Sequence, residues 1–394
     1  MVYPFLTNPK TDGMTVVFET PTPTLAELEY RHESGKGRGG MASSEPKTLH
    51  HFRLTGLETS EKYFYRVRVE DAMGQSLETE LLSFRTAAAP GEPFTFIAIG
   101  DTQAQAPVVR RIAELAYDHR PNLLVHAGDL VSTGTNKAHW VNHFFPNMKP
   151  VLDRVPIMAV LGNHEIDAQL YYDYFDPPEP RSYYTFRYGD AEFFMIDGNR
   201  PLEEGSDQIR WLEEALSSSR APWKLAFVHQ PPYTSDSDDY GNTFQGPSNR
   251  GDPNVQNIVP LLERHGVDIC FSGHVHDYER TFPIQDGKVT PHERGGVVYV
   301  TTAGGGGSLE NFDPTQTWFG HKKRRVHHMV YVAIHADHLE FQAIDEEGRL
   351  FDTMSLREGR LLGHEHELDR DHGDSEDHGH DHHHGHDHGH SHER

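Results

Sequence analysis

Phe94-Thr-Phe-Ile-Ala-Ile-Gly-Asp-Thr-Gln103 is a nearly continuous apolar run that stops abruptly at a glycine and an acid. Apolar residues at consecutive positions mark a strand buried on both faces, because a strand with one wet face would place a polar residue at every second position. Pro107 to Arg120 follows with Val108, Ile112 and Leu115 at helical spacing, so the order is strand, polar loop, helix. The unit recurs outward from there. Strands are expected at Asn122 to His126, Pro156 to Leu161, Trp223 to Val228 and Asp268 to Phe271, with helices at Asp207 to Leu216 and Asn254 to His265. Alternating strands and helices specify a layered α/β domain. Gly296 to Thr302, Met329 to His335 and Leu339 to Ile344 have no helices between them and are expected to form a second, antiparallel part of the sheet core.

Toward the amino terminus the rhythm is shorter. Met14 to Thr20, Ala26 to Arg31, His50 to Leu54 and Tyr63 to Val69 alternate with period two and are separated by Gly, Pro and Asn, the pattern of a small β-sandwich. Gly35 to Gly40 is expected to be a flexible loop within it, and Ala87-Ala-Ala-Pro-Gly-Glu-Pro93 is a linker by composition. From Gly363 onward the chain is His, Asp, Gly and Glu, too poor in apolar groups to offset ordering entropy by burial, and disorder is expected. The expected organisation is therefore an all-β module over residues 1–88, an α/β domain over 93–360 and a tail over 363–394.

The 394 residues carry a formal charge of -24, of which the tail's ten acids and two arginines account for -8. An acidic surface repels phosphate backbones and anionic membranes, so neither nucleic acid nor a membrane is expected as a partner. With Cys270 the sole cysteine, disulfides, CxxC redox pairs and cysteine zinc cages are excluded, and metal chemistry falls to histidine and carboxylate. No stretch approaches the length of a membrane helix, and Met1 to Lys10 lacks the basic and apolar regions of a signal peptide, from which a cytoplasmic location is expected.

Each expected central strand ends in a polar cluster: Gly100-Asp-Thr-Gln103, Gly128-Asp-Leu130, Gly162-Asn-His-Glu165, His229-Gln-Pro-Pro232 and Gly273-His-Val-His276. Taken singly these are turns, caps or hydrogen-bonded histidines. Jointly they are not, because loops beyond the carboxyl ends of strands in an α/β sheet converge on one crevice. Convergence would assemble Asp101, Asp129, Asn163, His229, His274 and His276, an oxygen and nitrogen set suited to Zn, Mn or Fe. Six ligands exceed the need of one tetrahedral site and suit two ions roughly 3.5–4 Å apart.

These blocks, in this order, resemble the calcineurin-like metallophosphoesterases. The stretches Gly273-His-Val-His-Asp-Tyr-Glu-Arg280 and His229-Gln-Pro-Pro-Tyr233 resemble the purple acid phosphatases in particular. Leu54-Thr-Gly-Leu57, Tyr63-Phe-Tyr65 and Phe84-Arg-Thr86 similarly resemble the end of a fibronectin type III module, that family's usual companion. The resemblance implies a layered β-sandwich core flanked by helices, with Asp101 and His276 on a first divalent metal, Asp129 bridging, and Asn163, His229 and His274 on a second. It implies hydrolysis of small phosphate esters by a metal-bound hydroxide, with His164 as the acid that assists the leaving oxygen and Glu165 or another acid fixing the His164 tautomer. It also leans toward export from the cell.

Three positions depart from the resembling pattern. Ser132 stands where purple enzymes carry the tyrosine that colours their iron, Gln103 where related enzymes carry a histidine ligand, and Thr234 to Asp239 where a further histidine is usual. Gln103 is expected either to offer an amide oxygen to the first metal or merely to hydrogen bond. Gly304-Gly-Gly-Gly307 lacks the ending of a phosphate loop and is read as close backbone packing, and Lys322-Lys-Arg-Arg325 as a solvated turn. The twelve histidines between His364 and His392 are expected to gather further metal ions. The reading from another class is a metal-sequestering or adhesive protein whose phosphoesterase domain has decayed through loss of a first-metal ligand.

Overall fold

Residues 1–236, 251–314, 316–357 and 360–361 are described by a computed structural model of the chain. The expected disorder from Gly363 onward falls outside these residues. The Phe94–Ile99 strand lies parallel to Leu123–His126 and antiparallel to His328–His335, and Leu123–His126 is in turn parallel to Ile157–Ala159. A second sheet runs in the order Tyr184–Tyr188, Ala191–Ile196, Trp223–Val228, Ile269–Ser272, Val298–Thr302, Tyr278–Thr281, Gly320–Arg324.

The two sheets pack face to face. Phe96, Ala98, Leu123 and Val125 share one core with Phe193, Leu225, Phe227, Phe271 and Val300, and the Phe96 ring meets Phe193 and Phe271 edge-on at 5.4 and 6.1 Å between centroids. The alternate residues Ile97 and Ile99 point the other way, onto Val109, Ile112 and Ala116 of the Ala106–Asp118 helix. Ala226 and Val228 do the same against Leu212 and Leu216 of Asp207–Ser218 and Leu262 of Val259–Arg264. Both faces of each central strand are thus apolar for different reasons, one for the inter-sheet core and one for the helices.

Three expectations are corrected here. Val298–Thr302 is not part of an antiparallel addition with His328–His335: it lies parallel to Ile269–Ser272 in the opposite sheet. Period and apolarity identify a strand but carry nothing about its sheet. The basic run is not a turn, since Gly320–Arg324 is an edge strand paired with Tyr278–Thr281, a position where charged side chains reach solvent and block further pairing. The Gly35 to Gly40 loop is shorter than expected, because Arg38–Ala42 pairs with the long Gly13–His32 strand. The Phe145–Leu152 helix escapes a sequence reading because Pro146 and Pro150 argue against it, yet Phe145, Met148, Val151 and Leu152 are all buried.

The first module is all-β. Gly13–His32 pairs along its first half with Val2–Lys10 and Lys47–Thr55 and along its second half with Lys62–Glu70, so one strand serves both layers. Leu6, Met14, Val16, Phe18, Leu28, Tyr65 and Phe84 form its core. Alternation sends Phe5 and Val17 to the opposite face, where they join the helix-side core of the α/β domain. Thr7 pairs with Ile157 in parallel, so Val2–Lys10 continues the sheet of the second domain. The stretch read as a linker is docked as well: Ala87 and Ala88 lie in the inter-sheet core, and the Ala87 N–H donates to the Lys10 carbonyl at 3.0 Å.

Phe5 is 1% exposed, with its ring 4.8 Å from that of Phe145 and 5.9 Å from that of Phe175. Phe5→Ala should therefore cost about 3–5 kcal/mol, read as a lower urea midpoint. Leu25→Ala, at a side chain 46% exposed, should move it by less than about 0.5 kcal/mol.

Candidate metal centre

The five polar clusters meet at one edge of the two-sheet core, with three strands of one sheet and two of the other delivering them. The crevice is therefore an edge between the two layered sheets. The Asp101 N–H donates to the Gly128 carbonyl at 3.0 Å and the Gly273 N–H to the His229 carbonyl at 2.8 Å, which ties neighbouring loops together. They approach so closely that side chains do not fit between them. A Cβ on Gly162 would lie 2.0 Å from Asp129 Oδ1, and one on Gly273 would lie 2.6 Å from Asp101 Oδ2. Asp101, Asp129 and His274 adopt left-handed backbone, with φ of 62°, 54° and 74°, a conformation uncommon outside glycine and concentrated at functional sites.

All six expected residues come together here. The donor atoms of Asp129, His229 and His274 lie within 4.8 Å of one another, and Asn163 Oδ1 lies 2.9 Å from both His229 Nε2 and His274 Nδ1. Asp129 Oδ2 is 3.2 Å from His229 Nε2. On the other side, His276 Nε2 lies 3.4 Å from Asp101 Oδ1, and Asp101 accepts the His274 N–H at 3.0 Å. His229 and His276 each donate Nδ1–H to a backbone carbonyl, of Ala127 at 2.8 Å and Ser308 at 2.9 Å, which turns Nε2 inward. That arrangement orients histidines that bind metals.

The facing carboxylates and imidazoles shift one another's protonation. Burial opposes charge on His229, but Asp129, with Asp101 behind it, outweighs burial and pushes the imidazole up to about 10. At His276 burial is likewise overcome, by Asp101 and Glu310, and the group rises to about 9. Asp129 is held below the usual carboxylate range, against its own burial, by His229 and His164. A cation at the point where these lone pairs converge would take the place of the protons, so the donor set fits a metal.

Residues 94–278 match the calcineurin-like phosphoesterase family profile. The chain carries a calcineurin-like phosphoesterase domain. It is 29% identical to purple acid phosphatase 23 of Arabidopsis thaliana over 316 residues, 70% of this chain and 66% of that relative. It is 27% identical to purple acid phosphatase 21 of the same plant, over 90% of this chain and 84% of the relative. A third relative is named "Probable inactive purple acid phosphatase 27", 26% identical over 68% of this chain and 51% of its own length. The chain thus spans less than two thirds of two of these three relatives. In fold it is similar to the purple acid phosphatase PPD1 from yellow lupin seeds, with a TM-score of 0.78 and 20% identity over 90% of this chain and 74% of that one. It is also similar to PhoD, at 0.66 and 13% over 91% of both chains.

Within the phosphoesterase domain, His164 Nδ1–H donates to the Ser132 carbonyl at 2.8 Å. Its tautomer is therefore set by a backbone carbonyl, where Glu165 or another acid was expected. Glu165 faces the other way. Its carboxylate accepts the N–H groups of Asp129 at 2.8 Å, Gly162 at 3.0 Å and Val131 at 3.1 Å, binding two site loops, and burial together with Asp129 raises its pKa. Gln103 Nε2 lies 2.9 Å from His276 Nε2, and Gln103 Oε1 is buried with no hydrogen-bond partner. The Ser132 hydroxyl donates to the Gln103 carbonyl.

Neither nearby tyrosine substitutes for the phenol missing at Ser132. Tyr233 packs its ring against Tyr299, Trp318 and Phe319, and the Tyr278 hydroxyl donates to Asp352 at 2.5 Å. Thr234 and Ser235 dock onto the buried Glu279, while 237–239 lie outside the described residues. Gly304 to Gly307 pack as expected, with the Gly307 N–H donating to the Asp101 carbonyl and a Cβ at Gly307 meeting the His276 ring at 2.7 Å. Sequence reasoning missed Glu310, whose Oε1 lies 3.3 Å from His276 Nδ1, because it sits in a loop with no motif around it.

Loading the centre should release protons. At pH 8 ordinary imidazoles are neutral, whereas His229 and His276 in the metal-free chain are still charged. Adding Zn²⁺ to stripped protein at pH 8 in a pH-stat should liberate about two protons per chain from these groups. The release should shrink as pH rises toward 10, and His229→Gln should release about one fewer.

Proposed function

We propose that this protein hydrolyses small phosphate esters at a dinuclear centre, with Asp101 and His276 toward one ion, Asn163, His229 and His274 toward the other, and Asp129 between them. The observation that carries this reading is the interlocked donor set, in which Asn163 Oδ1 and Asp129 Oδ2 face the same imidazole nitrogen at 2.9 and 3.2 Å. Two bound divalent ions would supply Lewis-acid stabilisation of the phosphoryl oxygens and a water of lowered pKa. The chain supplies the rest. His164, its side chain 38% exposed and its Nδ1 engaged by Ser132, presents Nε2 beside Asp129 at 3.7 Å and holds a proton for the departing alcohol. Asp129 Oδ1 accepts the His164 N–H at 2.9 Å, so the acid and the bridging carboxylate are positioned by one contact.

Two expected roles remain part of the proposal. Gln103 completes the first ion's surroundings with its amide oxygen, supported by the burial of Oε1 without a hydrogen-bond partner on a side chain whose Nε2 reaches His276. The histidines of the tail gather further ions. The presence of all six candidate ligands at one edge speaks against a decayed, purely sequestering protein.

Leaving-group dependence tests the assignment of His164. His164→Ala should lower turnover of an alkyl phosphate by about 10²–10⁴-fold, the range of general-acid assistance, and that of p-nitrophenyl phosphate far less, since nitrophenolate departs without a proton. Equal losses on both esters, or turnover that survives complete metal removal, would sink the reading.

Colour tests the metals. A serine at position 132 cannot provide phenolate-to-ferric charge transfer, and the oxygen and nitrogen donors suit divalent Mn, Zn or ferrous iron. The active protein should hold two divalent ions in the domain and show no visible band. A strong visible band in the iron-loaded active form would contradict this.

A further inference from the structure

Beside the five strand-end clusters stands a sixth. The Ala191–Ile196 strand lies parallel to Trp223–Val228, with Ile196 opposite Val228, and it too stops on polar residues, Asp197-Gly-Asn-Arg200. We propose that Asn199 on this loop is a positioning residue for the second ion, tying the loop that carries Asn163 to the loop that carries His229. The inference rests on the dinuclear reading above.

The side-chain amide spans the two loops. Asn199 Nδ2 donates to the Gly162 carbonyl at 3.1 Å, one residue before Asn163, and Asn199 Oδ1 accepts from Gln230 Nε2 at 3.0 Å, one residue after His229. A carbonyl can only accept, so the Gly162 contact fixes which end of the amide points where. The two ligands come from opposite sheets: Ile157–Ala159 leads into Asn163, and Trp223–Val228 leads into His229. No strand pairing joins those two strands, so their ligands need another link to set the 2.9 Å between Asn163 Oδ1 and His229 Nε2.

The Gln230 end of the link is the informative part. Gln230 is 8% exposed and its Oε1 is buried without a hydrogen-bond partner, so among the described residues its side chain makes one hydrogen bond, the one to Asn199. Burying an amide for a single contact is unfavourable unless that contact has a task. Gly198 makes room for it, since a Cβ there would lie 2.1 Å from Gln230 Oε1. The loop is also braced. Gln208, 2% exposed, exchanges two hydrogen bonds with the Asp197 backbone at 2.8 and 2.9 Å, and Asp197 Oδ1 accepts the Asn199 N–H at 3.0 Å. Asn254 Nδ2 donates to the Gly198 and Arg200 carbonyls at 3.0 and 2.8 Å. A rigid loop can hold two ligands at a set distance, where a mobile one would transmit no geometry.

The test titrates Mn²⁺ into the full chain stripped of metal and follows the exchange-coupled paramagnetic resonance signal, which only two ions sharing a bridging ligand produce. Mn²⁺ is the weakest binder of its series, so the tail's histidines compete least for it. In Asn199→Ala the Mn²⁺ concentration giving half the coupled signal should rise about 10–100-fold, the usual loss when an outer partner of metal ligands is removed. Gln230→Met removes the same link from its other end and should raise the midpoint likewise. The double variant should rise no further than the larger single one, because one link is lost only once. An unchanged midpoint in either folded variant, or a rise in the double variant equal to the product of the two, overturns the proposal; Gln230→Met decides if Asn199→Ala fails to fold. A parent chain that never shows a coupled signal would instead overturn the dinuclear reading itself, and this inference with it.

Discussion

Asp101 and Asp129 are carboxylates with essentially no access to water, and much of the surrounding architecture follows from making that burial tolerable. An isolated buried carboxylate would cost many kcal/mol, so each must be met by hydrogen-bond donors and opposite charge. The chain meets them from far away in sequence. The His274 N–H serves Asp101, the His164 N–H serves Asp129, and the imidazoles of His229 and His276 face the two acids. None of these donors could arrive if the strand ends were separated by side chains, which is why glycines stand at 162 and 273 where a Cβ would strike a carboxylate oxygen. The same crowding places a dense patch of negative potential at one edge of the molecule, and protons or cations must answer it.

That edge exists because two sheets are clamped together by aromatic packing behind it. Phe96, Phe193, Phe227 and Phe271 interlock across the gap and hold the three strand ends of one sheet opposite the two of the other. Site geometry and core packing are therefore the same problem: a shift of one sheet against the other would separate Asp129 from His229. The first module takes part in this. By pairing Thr7 with Ile157 it covers the edge of the sheet that carries Asn163, and Phe5 fills the helix layer beside it. A module that looks independent by composition is in this way a lateral support for the strand leading into Gly162-Asn-His-Glu165.

Charge settles what the outer parts do with the rest of the surface. Lys322 to Arg325 lie on or beside an edge strand, where Lys323 stands over the Phe312 ring and Arg324 over Phe351 while their charge discourages another strand from pairing. Glu165 illustrates the opposite case, a carboxyl group drawn inward to accept three backbone N–H groups at the junction of two loops. One acidic residue beside the motif thus organises backbone, and the neighbouring histidine is left to chemistry.

The strands, the all-β character of residues 1–88 and the six candidate ligands were legible in the sequence, because burial on both faces, period two and a polar stop after each apolar run are local consequences of strand geometry. The same local signals fail where a decision depends on partners. Val298–Thr302 reads as a strand in any sheet, and only its pairing with Ile269–Ser272 assigns it. The helix at Phe145–Leu152 contradicts its prolines because burial of Phe145 and Met148 outweighs propensity. The Ser132 carbonyl that orients His164, the three N–H groups that claim Glu165 and the approach of Glu310 to His276 belong to no motif. Sequence by itself determined which residue types stand at the strand ends. Tertiary structure alone decided which atoms face one another, since hydrogen bonds and ion pairs depend on ångström-scale positions that packing of distant segments sets.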